Sequence, residues 1–458
     1  MIRKVLTALF KMILRIFFCP IELEGEGKVP ETGPVVFVMN HPNALVDPLF
    51  VLCLVPRRVS FLAKATLFKM PVISQIIKGF DAVPVHRRQD EGSDLRKNQE
   101  MFESAQQLLN RGGTLALFPE GVSHSAPEMK PLKTGAARIA YGAISSGLTE
   151  PLKVVPAGLY YTAKGTFRSG ALVVFGDPIE VEPLTEVTRE DVDRLTEKMS
   201  EALSAVTLQA ENHEALQLIG RVERIVASID SDDWPLDERF ALRKRLLEGY
   251  HRLEEEAPER LEVLVAEVDA YETEVRELGL EIDHLDSAMF TLDRVVRYGL
   301  KSVFWLLLMS PLALLGTALY FPAYQVIGKL AMRMSRGEDD MIATIKVLGA
   351  MLFFPLTWCL LGALGWPWLG WSSLFVAMMI GPLLGWLSLV FLERFAALWG
   401  AAKGLAVFLA RRHTYSALCE SRAQIREMLR ALDALLGAGG EALERGVAEG
   451  PSEKSVSG

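Results

Sequence analysis

Two kinds of hydrophobic pattern divide this chain. Short apolar runs rich in β-branched residues recur through the first part, and long uncharged runs dominate the last third. PVVFVMN, VSFLAK, DAVPV, GTLALFPE, KVVPAGLYY and ALVVFGDPIEV lie between turn residues, a pattern that predicts strands. Residues 94–110 and 133–146 between them carry helical periodicity. Residues 21–183 therefore read as an α/β domain, a largely buried sheet flanked by helices. Residues 184–300 have few β-branched runs and many Leu, Ala, Glu and Arg, which predicts a helical connector broken near 230–235. Residues 396–436 read as C-terminal helices and 437–458, without apolar periodicity, as a flexible tail.

The uncharged runs cover 302–328, 27 residues, and 347–392, 46 residues. Each is long enough to cross a hydrocarbon core of about 30 Å, so 301–395 is predicted to be a transmembrane region. Gly365, Trp366, Pro367, Trp368, Gly370 and Trp371 interrupt the second run midway, where a turn with interfacial tryptophans fits between two spans. Ser310, Pro311 and Pro322 break the first run, and a kinked span and a re-entrant pair of half-helices both fit it. Lys329, Arg333, Arg336 and Lys346 flank one side, and Arg394, Lys403, Arg411 and Arg412 the other; the positive-inside rule does not separate them. Residues 1–20 place Lys4, Lys11 and Arg15 among Leu and Phe without a small-residue cleavage site, so no cleaved signal peptide is expected. An amphipathic helix lying in the membrane interface and a helix packed on the soluble domain are the two readings of that segment.

Charge sharpens the division. The whole chain carries −8, but residues 1–180 sum to about +5, 181–300 to about −16 and 301–458 to about +3. A mildly basic first block suits an anionic substrate or lipid headgroups, and the acidic middle block argues against a nucleic-acid partner. Cys19, Cys53, Cys359 and Cys419 are far apart and lack metal-ligand spacing, which points to a reducing compartment with no disulfide framework and no metal site.

Candidate chemistry gathers just after the predicted strands. PVVFVMN runs into His41, with Asp47 six residues on; a hydrogen bond to Asp47 would fix the imidazole tautomer and leave its other nitrogen to take a proton from a hydroxyl. The plain alternative for such a pair is a turn. The segment Phe118-Pro119-Glu120-Gly121-Val122-Ser123-His124 follows another strand, and Gly121 lets backbone amides approach a ligand; a strand-to-helix turn with Glu120 in water fits equally. Arg87, after the DAVPV run, has the geometry for a bidentate phosphate contact.

In this order the motifs resemble those of the phospholipid-synthesis superfamily of glycerol-3-phosphate and lysophosphatidate acyltransferases. The matching residues are Asn40, His41 and Asp47, then Arg87, then Phe118 to Gly121, then Pro156 in VVPAGLY. Five residues separate His41 from Asp47 where four are common, and Val122-Ser123 replaces the usual Thr-Arg; NHPNALVDP with FPEGVSHS and PLKTGAARIA, by the longer spacing and the Ser123-His124 after the Gly, looks like the branch with fungal glycerol-3-phosphate and dihydroxyacetone-phosphate acyltransferases. The resemblance implies a glycerol-3-phosphate acyltransferase-like fold followed by a helical region and C-terminal membrane helices. It implies acyl transfer from acyl-CoA or acyl carrier protein to a glycerol-phosphate-type hydroxyl at the membrane, with the catalytic domain facing the cytoplasm and no cofactor. His41 and Asp47 would be catalytic; Arg87, Glu120, Gly121, Ser123, His124 and Lys133 would bind substrate. A catalytically inactive lipid-binding scaffold and a lysophospholipid-remodelling acyltransferase are the rival readings.

Overall fold

The computed structural model describes residues 2–85, 95–226, 234–280, 292–335 and 337–435. The chain divides into two compact units, Met1–Glu211 with Leu330–Val347, and Asn212–Lys329 with Leu348 onward.

The first unit is built on an eight-stranded mixed sheet. Its strands are β1 (Phe18–Glu24), β2 (Val35–Met39), β3 (Val59–Lys64), β4 (Val83–Val85), β5 (Thr114–Leu117), β6 (Leu152–Tyr161), β7 (Ser169–Phe175) and β8 (Ile179–Val181). Their order is β1-β7-β6-β2-β5-β3-β4, with β8 paired to β6; the pairings of β6 with β7 and β8 are antiparallel and the others parallel. β2 is buried along its whole length, as an apolar run covered on both faces must be. Val36 and Val38 join a core with Ala105 and Leu109 of helix α4 (Leu95–Asn110), Ala136 and Ile139 of α5 (Gly135–Ser145) and Leu195 and Met199 of α6 (Arg189–Ala205). Phe37, on the opposite face by strand alternation, packs against Phe175 with ring centroids 6.0 Å apart and the rings tilted by 57°. α2 (Asp47–Leu54) and α3 (Pro71–Gly79) complete the flanking helices.

Two details depart from the sequence reading. β1 was not foreseen, because the helix pattern was carried to residue 20, whereas α1 ends at Phe17 and Phe18 starts a strand paired with β7. α6, assigned to the connector, packs on the sheet. α1 (Ile2–Phe17) packs on the domain as in the second reading offered for it: Phe10, Leu14 and Phe17 are buried, and Ile2, Val5, Leu9, Met12 and Ile16 are exposed along the other face. Residues 330–347 belong to this unit; Ile342 lies against Gly165, and Lys346 Nζ donates to the Gly165 carbonyl at 2.6 Å.

In the second unit α7 (His213–Val226), α8 (Leu236–Glu256), α9 (Pro258–Glu277) and α13 (Arg412–Leu435) share one core containing Val222, Leu242, Val268, Tyr271, Leu418 and Ile425. Glu223, fully buried, accepts hydrogen bonds of 2.6 Å from Arg239 Nε and from Arg243 Nε. α10 (Leu292–Met334), α11 (Asp339–Leu369) and α12 (Trp371–Ala410) are long and apolar enough to cross a membrane, and little of their surface is covered by protein. Gly370, at φ 56°, makes the foreseen turn between α11 and α12. α10 is one continuous helix through Pro311 and Pro322. The expected break at 230–235 lies largely, and the tail at 437–458 wholly, outside the described residues.

Candidate active site

β2, β5 and β6 are adjacent and parallel, so their carboxyl ends open on one edge of the sheet, where ligands gather in open α/β sheets. β2 leads into Asn40-His41, β5 into the Phe118–His124 loop and β6 through Tyr161 into Lys164. Asn40 locks the first of these in place: its Nδ2 donates to the Leu159 carbonyl at 3.0 Å and its Oδ1 accepts from Leu159 N at 2.7 Å.

His41 Nδ1 lies 2.8 Å from Asp47 Oδ2. Asp47 starts α2 and is fully buried. The same Oδ2 accepts from Asn43 N at 2.7 Å, and Oδ1 accepts from the Tyr161 hydroxyl at 2.7 Å. Burial first, then the charge of Asp47 and the bond to it, push the Tyr161 phenol well above its usual range, so it stays a donor. With both carboxylate oxygens engaged, Asp47 is fixed in place and orients His41. The imidazole stacks on Phe118 at 3.9 Å with an interplanar angle of 12°, which fixes the ring plane. Its Nε2 has no hydrogen-bond partner among the described residues, and the side chain is 14 % exposed. The arrangement suits a general base: one nitrogen held, the other open, the ring immobilised.

The Phe118–His124 loop folds against this dyad, with His124 N donating to the His41 carbonyl at 3.1 Å. Glu120 is buried; its Oε2 bonds His124 Nε2 and accepts from Lys130 N at 2.8 Å. Glu120 therefore orders the loop from inside instead of facing water as in the turn reading. Gly121 has φ 77°, and a Cβ there would strike Lys133 Nζ, so glycine is needed for both backbone and space. Lys133 thus lies against the loop, and its N donates to the Pro119 carbonyl at 2.8 Å. Ser123 lies in the same loop, partly buried. Arg87 lies outside the described residues.

The structure adds groups that the sequence reading missed. Asn43 Nδ2 donates to the Lys164 carbonyl at 3.2 Å, and Lys164 Nζ donates to Ser125 Oγ at 2.5 Å, tying the three strand ends together. Burial lowers the Lys164 ammonium, with Asp339, Asp340 and Asp47 acting the other way. Tyr161 and Lys164 are more than a hundred residues from His41, and only strand pairing brings them to it.

Residues 20–160 match the family model described as acyltransferase, and residues 222–437 match that of the glycerol-3-phosphate acyltransferase 2 C-terminal domain. Glycerol-3-phosphate O-acyltransferase 1 of Saccharomyces cerevisiae is 25 % identical over 452 residues, covering 76 % of this chain and 59 % of the yeast protein. The chloroplastic 1-acyl-sn-glycerol-3-phosphate acyltransferase of Arabidopsis thaliana is 24 % identical over 188 residues, covering 40 % of this chain and 50 % of the plant protein. The chain thus spans less than two thirds of the length of either relative. A solved structure of the 1-acyl-sn-glycerophosphate acyltransferase from Thermotoga maritima aligns at a TM-score of 0.34 with 22 % identity, over 44 % of this chain and 78 % of that one, a likeness too slight to argue from.

Proposed function

For a chain that belongs to the superfamily of glycerol-3-phosphate and lysophosphatidate acyltransferases, we propose that the catalytic unit transfers a fatty acyl group from a thioester, acyl-CoA or acyl carrier protein, to a hydroxyl of a glycerol-phosphate-type acceptor. The observation that carries this reading is the His41–Asp47 pair, held through Nδ1 with Nε2 open. His41 Nε2 takes the proton as the acceptor oxygen attacks the thioester carbonyl carbon. As the tetrahedral intermediate collapses, the sulfur leaves and His41 returns the proton to it. The thioester is already activated, so the reaction draws on neither an acyl-enzyme nor a cofactor.

Asp47, fixed by Asn43 N and Tyr161, stabilises the imidazolium that forms. Glu120 and His124 shape the acceptor side, Gly121, Ser123 and Lys133 line it, and Arg87 holds the acceptor phosphate so that the hydroxyl meets the carbonyl in line. The match of residues 222–437 favours glycerol-3-phosphate over lysophosphatidate as acceptor. Because the water-soluble thioester and glycerol phosphate are cytoplasmic, the catalytic unit faces the cytoplasm.

Membranes carrying the protein, incubated with labelled palmitoyl-CoA and a panel of glycerol-3-phosphate, dihydroxyacetone phosphate and lysophosphatidate, test this reading. We expect product from at least one acceptor and none with His41→Ala, the variant remaining folded in the membrane. Full activity in His41→Ala would remove the base assignment, and no product from any acceptor with the parent protein would favour the inactive scaffold.

A further inference from the structure

Among the described residues three helices are long and apolar enough to cross a bilayer, yet the packing inside the second unit calls for an even number of crossings. α13, which follows α12, shares one core with α7 and α9, which precede α10. The two ends of the membrane region therefore lie on the same side. Between α9 and Lys301 the sequence offers no uncharged run able to cross. One of the three helices does not traverse.

Contact register says which. α11 and α12 form an antiparallel hairpin about Gly370: Gly362 meets Leu374, and Gly381 meets Trp358. Its uncharged run is bracketed by Lys346 and Glu393, with Trp366, Trp368 and Trp371 at the turn, an arrangement in which each arm has the length of one full crossing. α10 does not follow this hairpin along its length. Ser388 Oγ donates to the Ala313 carbonyl at 2.9 Å, and Gly316 meets Leu384, both near the Glu393 end. Tyr320 accepts from Trp358 Nε1 at 2.5 Å and touches Gly385. Ile327 then lies at Gly349, back near Lys346. By these contacts Ala313, Gly316, Tyr320 and Ile327 all stay within the half of the hairpin nearer Lys346 and Glu393. Trp358 is about 18 Å along α11 from Lys346 at about 1.5 Å per residue, little more than half of a core of about 30 Å. Pro311 and Pro322 sit on either side of the deepest contact, where prolines bend a helix.

Residues 330–347, which join α10 to α11, belong with the catalytic sheet, and Lys346 donates to Gly165. The surface from which α11 enters is therefore the catalytic side.

We propose that the chain crosses the bilayer twice, through α11 and α12, and that α10 is a shallow arch embedded in the leaflet on the catalytic side, entering and leaving by the same surface. Phe304, Leu307, Leu314, Leu315, Phe321 and Tyr324, exposed along α10, are its contacts with acyl chains of that leaflet.

The test is side-specific labelling of the full chain in sealed vesicles with a membrane-impermeant maleimide. Cys19, Cys53, Cys359 and Cys419 are replaced by Ser, and Glu186→Cys, Glu277→Cys, Glu338→Cys, Ser372→Cys and His413→Cys are introduced singly. Glu186, Glu277, Glu338 and His413 positions are expected to label from one side. The Ser372 position is expected to lose labelling from that side and to regain it on permeabilisation. Labelling of the Glu277 and Glu338 positions from opposite sides makes α10 a full crossing and overturns the proposal, as does labelling of the Ser372 position on the same side as Glu338. Should the cysteine-free background fail to fold, nitroxide depth in nanodiscs replaces it, with labels at Leu307, Phe321 and Met332 in the parent background and the native cysteines blocked. A maximum at Phe321 supports the arch, and a steady increase from Leu307 to Met332 overturns it.

Discussion

Asp47 has both oxygens committed before any substrate arrives, one to His41 and Asn43 N, the other to the Tyr161 hydroxyl. The Tyr161 bond fixes the carboxylate that supports the imidazolium. Tyr161→Phe removes a hydrogen bond to a charged group, about 1.5–3 kcal/mol, and is expected to lower kcat by roughly ten- to a hundredfold. Acyl-transfer kinetics of the variant check this, and an unchanged kcat would assign Tyr161 to packing alone. The His41–Asp47 pair was legible in the sequence because both residues lie on one short turn. Tyr161 was not, since nothing local in KVVPAGLYY distinguishes the tyrosine that reaches the carboxylate from its neighbour Tyr160. Glu120 was legible as a motif residue, but its burial beneath the loop came only from the bonds to His124 and Lys130.

At the scale of elements, α1 shows how one pattern serves two environments. Its apolar residues surround most of the helix, and the domain takes Phe10, Leu14 and Phe17, leaving the stripe through Leu9 and Met12 outside. Leu14→Ala is expected to destabilise the catalytic unit by about 2–5 kcal/mol, the usual effect of emptying a fully buried leucine site, and Leu9→Ala by far less. Denaturant unfolding of the purified protein in detergent measures both. In the helical unit, Glu223→Ala leaves Arg239 and Arg243 without their shared buried carboxylate, and a loss of about 3–5 kcal/mol is expected in the same assay. The helical character of α7 to α9 was readable from composition, but the recruitment of α13 into their core was not, because the partner faces lie about two hundred residues apart.

For the whole molecule, the uncharged run of 46 residues folded at Gly370 commits the chain to the bilayer. The protein is expected to stay in the pellet after alkaline carbonate extraction of membranes, and its release into the supernatant would contradict the hairpin. The sequence by itself determined the elements and their chemistry: strands, the His41 turn, the loop at Glu120 and the long apolar runs are written in local periodicity, charge and turn residues, which depend on neighbours a few positions away. Only the tertiary structure decided which groups complete the site, which face of α1 is buried and how α10 meets the hairpin. Those outcomes depend on pairing across long stretches of chain, where several partners satisfy the same apolar pattern and the final choice is made by packing and by the hydrogen bonds that buried polar groups must find.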